Sequence, residues 1–262
     1  MQLLFIEGVS GVGKTTTAQR LCDQLRARGF SVDCYLEFDF ANPIDFYCTA
    51  YFHQDEYATL LKNHTHLSAD IRANTIAAGA ARLVRYYNQE TPLFLEPLLS
   101  TLCEHEFCWN PIHLVSLAEY TSVYKTVWEQ FAKSQTSFPN YVIFDGSLLH
   151  HPLNDMMRNY HASIEQAASH VNTLLECVMH LRPQIIYLSS DNIATQLVLA
   201  RKTRQQPPPT TNQIRFWKKR KQMDDEIIQQ ISIPYVVYDV SQGDWNTALE
   251  AMVAQIAEPS GP

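Results

Sequence analysis

Short apolar runs and longer amphipathic stretches alternate along the chain, and that alternation predicts most of its elements. The runs at 3–6 (LLFI), 141–144 (YVIF) and 184–190 (QIIYLSS) read as strands buried on both faces. Segments 31–36 (SVDCYL) and 235–238 (YVVY) add two more. Helical spacing follows the strands. Ala18, Leu21, Cys22 and Leu25 come after the first, with Gly29 placed to stop that helix. Ile164, Ala167, Val171, Leu174, Leu175 and Val178 share one face of 163–179, and Leu249, Met252, Val253 and Ile256 line a further helix. Between 44 and 134 the pattern predicts mostly helix. Segment 44–61 is rich in aromatics, 69–87 is rich in alanine, and 114–131 spaces Leu117, Tyr120, Tyr124, Val127, Trp128 and Phe131 by three and four. The prolines in 91–113 argue for loop there. Five strands, each followed by helical material, predict a doubly wound α/β domain over 1–262. A helical elaboration occupies about 44–140 and a lid about 192–225.

The glycines between the first strand and helix carry chemistry. LLFIEGVSGVGKTTT fits the pattern G-x-x-x-x-G-K-[ST] with Gly8, Gly13, Lys14 and Thr15, between a strand and a helix. Glycines let backbone N–H groups turn inward around a triphosphate, and the helix N-terminus adds its partial positive charge. The expected phosphate cradle is Gly8, Val9, Ser10, Gly11, Val12, Gly13, Lys14, Thr15 and Thr16. Lys14 would bridge the β- and γ-phosphates, and the Thr15 hydroxyl would ligate Mg²⁺.

Two strand ends supply candidate carboxylates. YVIF is followed by Asp145, the placement of a Mg²⁺-associated carboxylate downstream of such a loop. The 31–36 strand leads into EFDFANP, which puts Glu37 on the ligand side of a parallel sheet. Arg201 and Arg204 lie before the proline-stiffened QQPPPTTN, and Arg215, Lys218, Lys219 and Arg220 beyond it. Two helices on a basic elbow predict a lid over a triphosphate.

Charge and cysteines narrow the partners. The net charge is −7, yet 201–221 holds 8 of the 20 Lys and Arg and no acid, leaving 12 basic against 27 acidic residues elsewhere. One basic segment on an acidic body suits a small anionic ligand and argues against nucleic acid. The six cysteines form no C-x-x-C pair. Cys103, His105, Cys108 and His113 are of metal-binding types, but their spacing matches no common zinc motif. No apolar run approaches 18 residues and the N-terminus does not resemble a signal peptide, so no membrane partner and a cytoplasmic location with reduced thiols are expected.

FIEGVSGVGKTTTAQRL resembles the start of the nucleoside and nucleoside-monophosphate kinases, thymidylate kinase above all. VIFDGS is similar to the D-R-[YFS] or E-R-S element of those enzymes, and IIYLSSDNIATQLVLARKTR to their fourth strand and arginine-bearing lid. The resemblance implies a P-loop NTPase three-layer sandwich with a five-stranded parallel sheet, a helical insertion and a basic lid. It implies that Glu37 takes a hydroxyl proton. Gly146 departs from the pattern by standing where those kinases carry an arginine.

The resulting expectation is a kinase using Mg²⁺ and ATP (or GTP) on a small anionic or hydroxyl-bearing acceptor, a nucleoside, nucleotide or similar small alcohol. Lys14, Glu37, Asp145, Arg201 and Arg204 are its expected catalytic residues, Thr15 and Asp145 its metal ligands, and a homodimer stays open. The alternative is a nucleotide switch with slow hydrolysis that binds a protein through 44–140. It lacks a guanine-reading N-K-x-D.

Overall fold

The computed structural model describes residues 1–134 and 139–257. They divide into two compact units. One comprises Met1–Glu37, 139–157 and 162–257, and the other comprises Phe38–Ser134 and Arg158–His161.

The first unit is built on five parallel strands: β1 (Gln2–Glu7), β2 (Val32–Tyr35), β3 (Tyr141–Asp145), β4 (Pro183–Ser189) and β5 (Tyr235–Asp239). Their order across the sheet is β5-β4-β1-β3-β2. The three inner strands are the continuous apolar runs, and Leu3, Leu4, Phe5, Ile143, Phe144 and Ile185 have no exposed surface. The rim strand β5 alternates instead, with Tyr235 and Val237 exposed. In the β1–β3 register Ile6 pairs with Asp145, so the two strands finish level with one another. The α/β architecture and its five-stranded parallel sheet are as the sequence pattern predicts.

Helices flank this sheet: α1 (Lys14–Ala27), α2 (His150–Arg158), α3 (Ile164–Val178), α4 (Ile193–Thr203), α5 (Thr211–Ile228) and α6 (Trp245–Ala257). Leu21 and Leu25 of α1 pack with Met252 and Val253 of α6, Leu4 of β1 and Ile186 of β4 in one core. Each such leucine contributes roughly 1.5–3 kcal/mol by leaving water. Ser163 and Thr210 begin α3 and α5 through capping boxes with Gln166 and Gln213.

The second unit differs from its expectation. Only Leu117–Ser134 forms the long helix predicted there. Segment 69–87 is a short helix, Ser68–Ala73, followed by an antiparallel hairpin of Thr75–Ala78 and Ala81–Arg85. Segment 44–61 splits into strand Thr49–His53 and helix Gln54–Asn63, and Leu98–Glu104 is helical within the expected loop. The strands form a three-stranded sheet with Ala81–Arg85 in the middle. Residues 135–138 of the expected elaboration lie outside the described residues.

Packing explains the difference. Ala50, Leu83 and Val84 are fully buried, and strand Thr49–His53 places the alternate residues Ala50 and Phe52 in a core with Val84, Tyr57, Ile71 and Leu102. Tertiary burial outweighs the few tenths of a kcal/mol per residue by which alanine favours helix.

Candidate active site

β1 ends at Glu7, and the chain turns at Gly8 with φ of 141°. A β-carbon at Gly8 would stand 2.5 Å from the Leu188 carbonyl of β4, so only glycine passes between loop and sheet. Val9 and Val12 are buried and anchor the loop. The indole N–H of Trp245 donates to the Val12 carbonyl at 2.8 Å, fastening α6 to it. Gly13, in the left-handed conformation, begins α1, and no side chain caps that helix. Its first N–H groups therefore keep the dipole and donors that bind phosphate. Ser10, Gly11, Thr15 and Thr16 complete the predicted cradle, and the Thr16 side chain is exposed.

Lys14 is buried, and its Nζ donates to the Val9 carbonyl at 3.3 Å. The same Nζ lies 3.2 Å from His150 Nδ1. Burial lowers the lysine pKa, and the charges of Asp145, Glu37 and Glu7 oppose that shift. Burial also drives the His150 pKa well below its usual value, reinforced by Lys14, so the imidazole is neutral. Its Nδ1 lies 3.1 Å from the Gly8 carbonyl as well, so it accepts from the lysine in one tautomer and donates to Gly8 in the other. Its ring lies parallel to Trp217 of α5, 5.3 Å between centroids.

Asp145 is buried at the end of β3, and burial raises its pKa against the pull of Lys14. Its Oδ2 accepts from the Glu37 backbone N–H at 3.3 Å. Oδ1 is buried with no hydrogen-bond partner among the described residues. The Thr15 hydroxyl acts on the same carboxylate, opposing the rise in its pKa, and the two offer hard oxygen donors of the kind Mg²⁺ takes. Among the described residues no group of three or more His, Cys, Asp or Glu could hold a metal. An ion here would complete its shell with water and phosphate oxygens.

Glu37 follows β2, with its carboxylate Oε1 3.5 Å from His151 Nε2. Burial would raise its pKa, but the His151 hydrogen bond and the charges of Lys14, His151 and Arg204 prevail and hold it at about 2. Glu37 is thus an anion at any working pH.

The two predicted lid arginines are placed differently. Arg204 is exposed, yet its charge acts on Glu37. The Arg201 guanidinium donates to the Pro207 carbonyl at 2.9 Å, tying α4 to the elbow. Arg220, grouped by sequence with the lid cations, is interior. It has no exposed surface, donates to Leu149 O at 2.8 Å and Asn154 Oδ1 at 3.1 Å, and pairs with Asp224 at 2.8 Å. Tyr187 of β4 donates to Asp224 Oδ2 at 3.0 Å. The i,i+4 spacing of Arg220 and Asp224 was the available signal, obscured by the surrounding basic run.

Sequence reasoning also missed Glu7. It is fully buried, and its oxygens accept from the backbone N–H groups of Leu148 and His150, each at 2.9 Å. Burial pushes its pKa up to about 7, against those bonds and Lys14. By pKa alone Glu7 would suit a general base, but both oxygens are committed to the start of α2.

In the second unit, the four metal-type residues at 103–113 have other neighbours. His105 stacks on Phe52 and on His113, with centroids 4.6 and 5.4 Å apart, and Cys108 Sγ lies 3.6 Å from Tyr124 Oη. A cavity of about 490 Å³ there is lined by Tyr51, His53, His105, His113 and Glu119 among others.

No family model and no curated protein matches the chain. Among solved structures, deoxyadenosine kinase from M. mycoides with products dCMP and a flexible dCDP bound is 15% identical, over 98% of this chain and 100% of its own, with a TM-score of 0.44. EHV4-TK complexed with TP5A is 12% identical, over 100% and 98% of the two chains, with a TM-score of 0.30. At these scores the likeness carries no functional weight. No helix among the described residues is long and apolar enough to cross a membrane.

Proposed function

We propose that this chain is a Mg²⁺-dependent phosphotransferase that moves the γ-phosphoryl group of ATP to a hydroxyl of a small acceptor, a nucleoside or similar alcohol. One observation carries the reading. An uncapped helix terminus with Lys14, a carboxylate with an orphaned oxygen and a second, ionised carboxylate all meet at the ends of three adjacent parallel strands. That grouping matches the division of labour in phosphoryl transfer: phosphate cradle, metal carboxylate and acceptor carboxylate.

Each group has a role its surroundings support. The Gly8–Thr16 backbone and the α1 terminus bind the triphosphate. Lys14 leaves the Val9 carbonyl and His150 for the phosphate oxygens, a better partner for a buried cation. Thr15 and Asp145 would hold Mg²⁺, whose charge would neutralise the phosphate oxygens. Glu37, too weak a base to deprotonate an alcohol outright, accepts the acceptor's O–H and aims its oxygen, taking the proton late. Late proton transfer fits a loose transition state, in which positioning dominates. Arg204 adds positive charge beside Glu37, and Arg201 braces the elbow.

Nucleosides, nucleotides and small alcohols, each incubated with Mg²⁺ and ATP and assayed for ADP, test this directly. One acceptor should raise ADP release well above the basal rate. Glu37→Gln should then cut kcat by roughly 10²-fold with little change in acceptor KM. A protein that binds ATP but shows no acceptor-dependent ADP across the panel would overturn the proposal.

A further inference from the structure

We propose that His151 is a positioning residue of this site, holding the Glu37 carboxylate in the orientation that receives the acceptor hydroxyl. The inference rests on the phosphotransfer reading above and adds a residue to it. Glu37 needs such a holder. It lies beyond the end of β2 with 21% of its side chain exposed, and its own tether is the backbone N–H bond to Asp145, which does not fix the carboxylate. Among the described residues, His151 is the side chain at ion-pair distance from it. Lys14 and Arg204 act on Glu37 through their charges.

The histidine, in contrast, is rigidly mounted. It stands in the first turn of α2 with 10% of its side chain exposed, and its backbone N–H donates to the Gly146 carbonyl at 2.9 Å. Glu7 grips that same turn through the N–H groups of Leu148 and His150, joining α2 to the end of β1. His150 is pressed flat against Trp217. Gly146 makes this mounting possible. Its φ is 72°, and a β-carbon there would come within 3.1 Å of His150 Cβ and 3.5 Å of Lys14 Cε. An imidazole mounted on α2 and facing the carboxylate of a longer side chain favours one rotamer of it, and a misplacement of about 1 Å can cost 10²-fold in rate.

The test uses His151→Phe, which keeps the ring's bulk, with His151→Gln and His151→Asn. The Gln amide can reach the place of Nε2; the Asn amide falls short. His151→Phe should lower kcat roughly 10- to 100-fold with the KM for ATP within about 3-fold, and Gln but not Asn should restore most of the loss. In a Glu37→Gln background, His151→Phe should cost nothing further, because the group it positions is gone. An unchanged kcat in His151→Phe, equal activity of the Gln and Asn variants, or a full second loss in the Glu37→Gln background would overturn the role. If His151→Phe does not fold, the Gln and Asn comparison decides. Should the wild type transfer no phosphate to any acceptor, the phosphotransfer reading falls and this role with it. An active wild type with an insensitive His151 removes the histidine alone.

Discussion

The two units of this chain use similar residues in different ways. In the first, apolar runs give parallel strands, and the strand ends with the turns and helix start that follow them hold Asp145, Glu37 and Lys14. In the second, aromatic and small residues give a short antiparallel sheet, and the partly buried polar groups serve the unit's own packing, as in Tyr57 with Thr75 and Arg85 with the carbonyls of Phe40 and Asn42. A parallel sheet gathers its strand exits at one edge, so chemistry from distant parts of the sequence converges there. In the second unit only Thr75–Ala78 and Ala81–Arg85 return locally as a hairpin, and Thr49–His53 joins them antiparallel from earlier in the chain, so its contacts tie that sheet together. The contrast predicts where substitutions abolish function and where they only loosen the fold.

The largest effect should come from Lys14→Ala. Saturating Mg²⁺–ATP, at about 100 times its dissociation constant, stabilises a protein by roughly 2.7 kcal/mol, and this variant should lose most of that rise in melting temperature along with turnover. A wild-type melting curve unmoved by millimolar Mg²⁺ and ATP would remove nucleotide binding from the first unit. Asp145→Asn comes next. A carboxylate acting through a metal should cost roughly 10²–10³-fold in kcat while leaving ATP binding without Mg²⁺ nearly unchanged. Loss of metal-free ATP binding in a folded Asp145→Asn protein would make Asp145 a structural group of the loop.

Both residues were legible in the sequence because each sits at a landmark the pattern fixes: Lys14 inside a spaced motif and Asp145 at the end of an apolar run. Glu37 was legible for the same reason. The groups around them were not. Glu7 reads as the polar end of a strand, and nothing local says that the chain returns 141 residues later to bury it under the backbone N–H of Leu148. Arg220 sits in KKRK and looks solvated, whereas its partners Asn154 and Leu149 come from a different helix and loop. Long-range pairing is invisible to periodicity. The hairpin of the second unit failed differently: its alanines favour helix locally, and the sheet that buries Ala78, Ala81, Leu83 and Val84 decides otherwise.

Glu7 gives a pH-dependent test of that hidden layer. Its pKa rises from an ordinary 4.5 to about 7 on folding, so the folded state binds an extra proton between those values. The stability it contributes is complete below about pH 4.5 and is lost as pH rises through about 7. Glu7→Gln cannot titrate; it keeps one accepting oxygen and loses the other, so it should start less stable and flatten that decline. The difference between the two proteins would amount to a few kcal/mol across the window, at about 1.4 kcal/mol per pH unit. Parallel stability profiles for wild type and Glu7→Gln, from denaturant titrations at pH 5 and 8, would show that Glu7 stays ionised when folded.

The smallest effect tests the second unit by its sign. Gly79 lies at the turn between Thr75–Ala78 and Ala81–Arg85 with φ of 63°, and a β-carbon there would meet nothing within 4 Å. Sterics therefore do not interfere, and the backbone conformation alone sets the outcome. Were 69–87 the continuous helix its alanines suggest, Gly79→Ala would stabilise the protein by roughly 1 kcal/mol, the helix-propensity difference between the two residues. In the hairpin the left-handed conformation costs alanine about 1–2 kcal/mol, so Gly79→Ala should destabilise by about that amount. Gly79→Asn should lose less, since asparagine visits this region more readily. Urea midpoints of the three proteins at equal m-value separate the two cases. A higher midpoint for Gly79→Ala than for wild type would restore the helix and dissolve the contrast between the units.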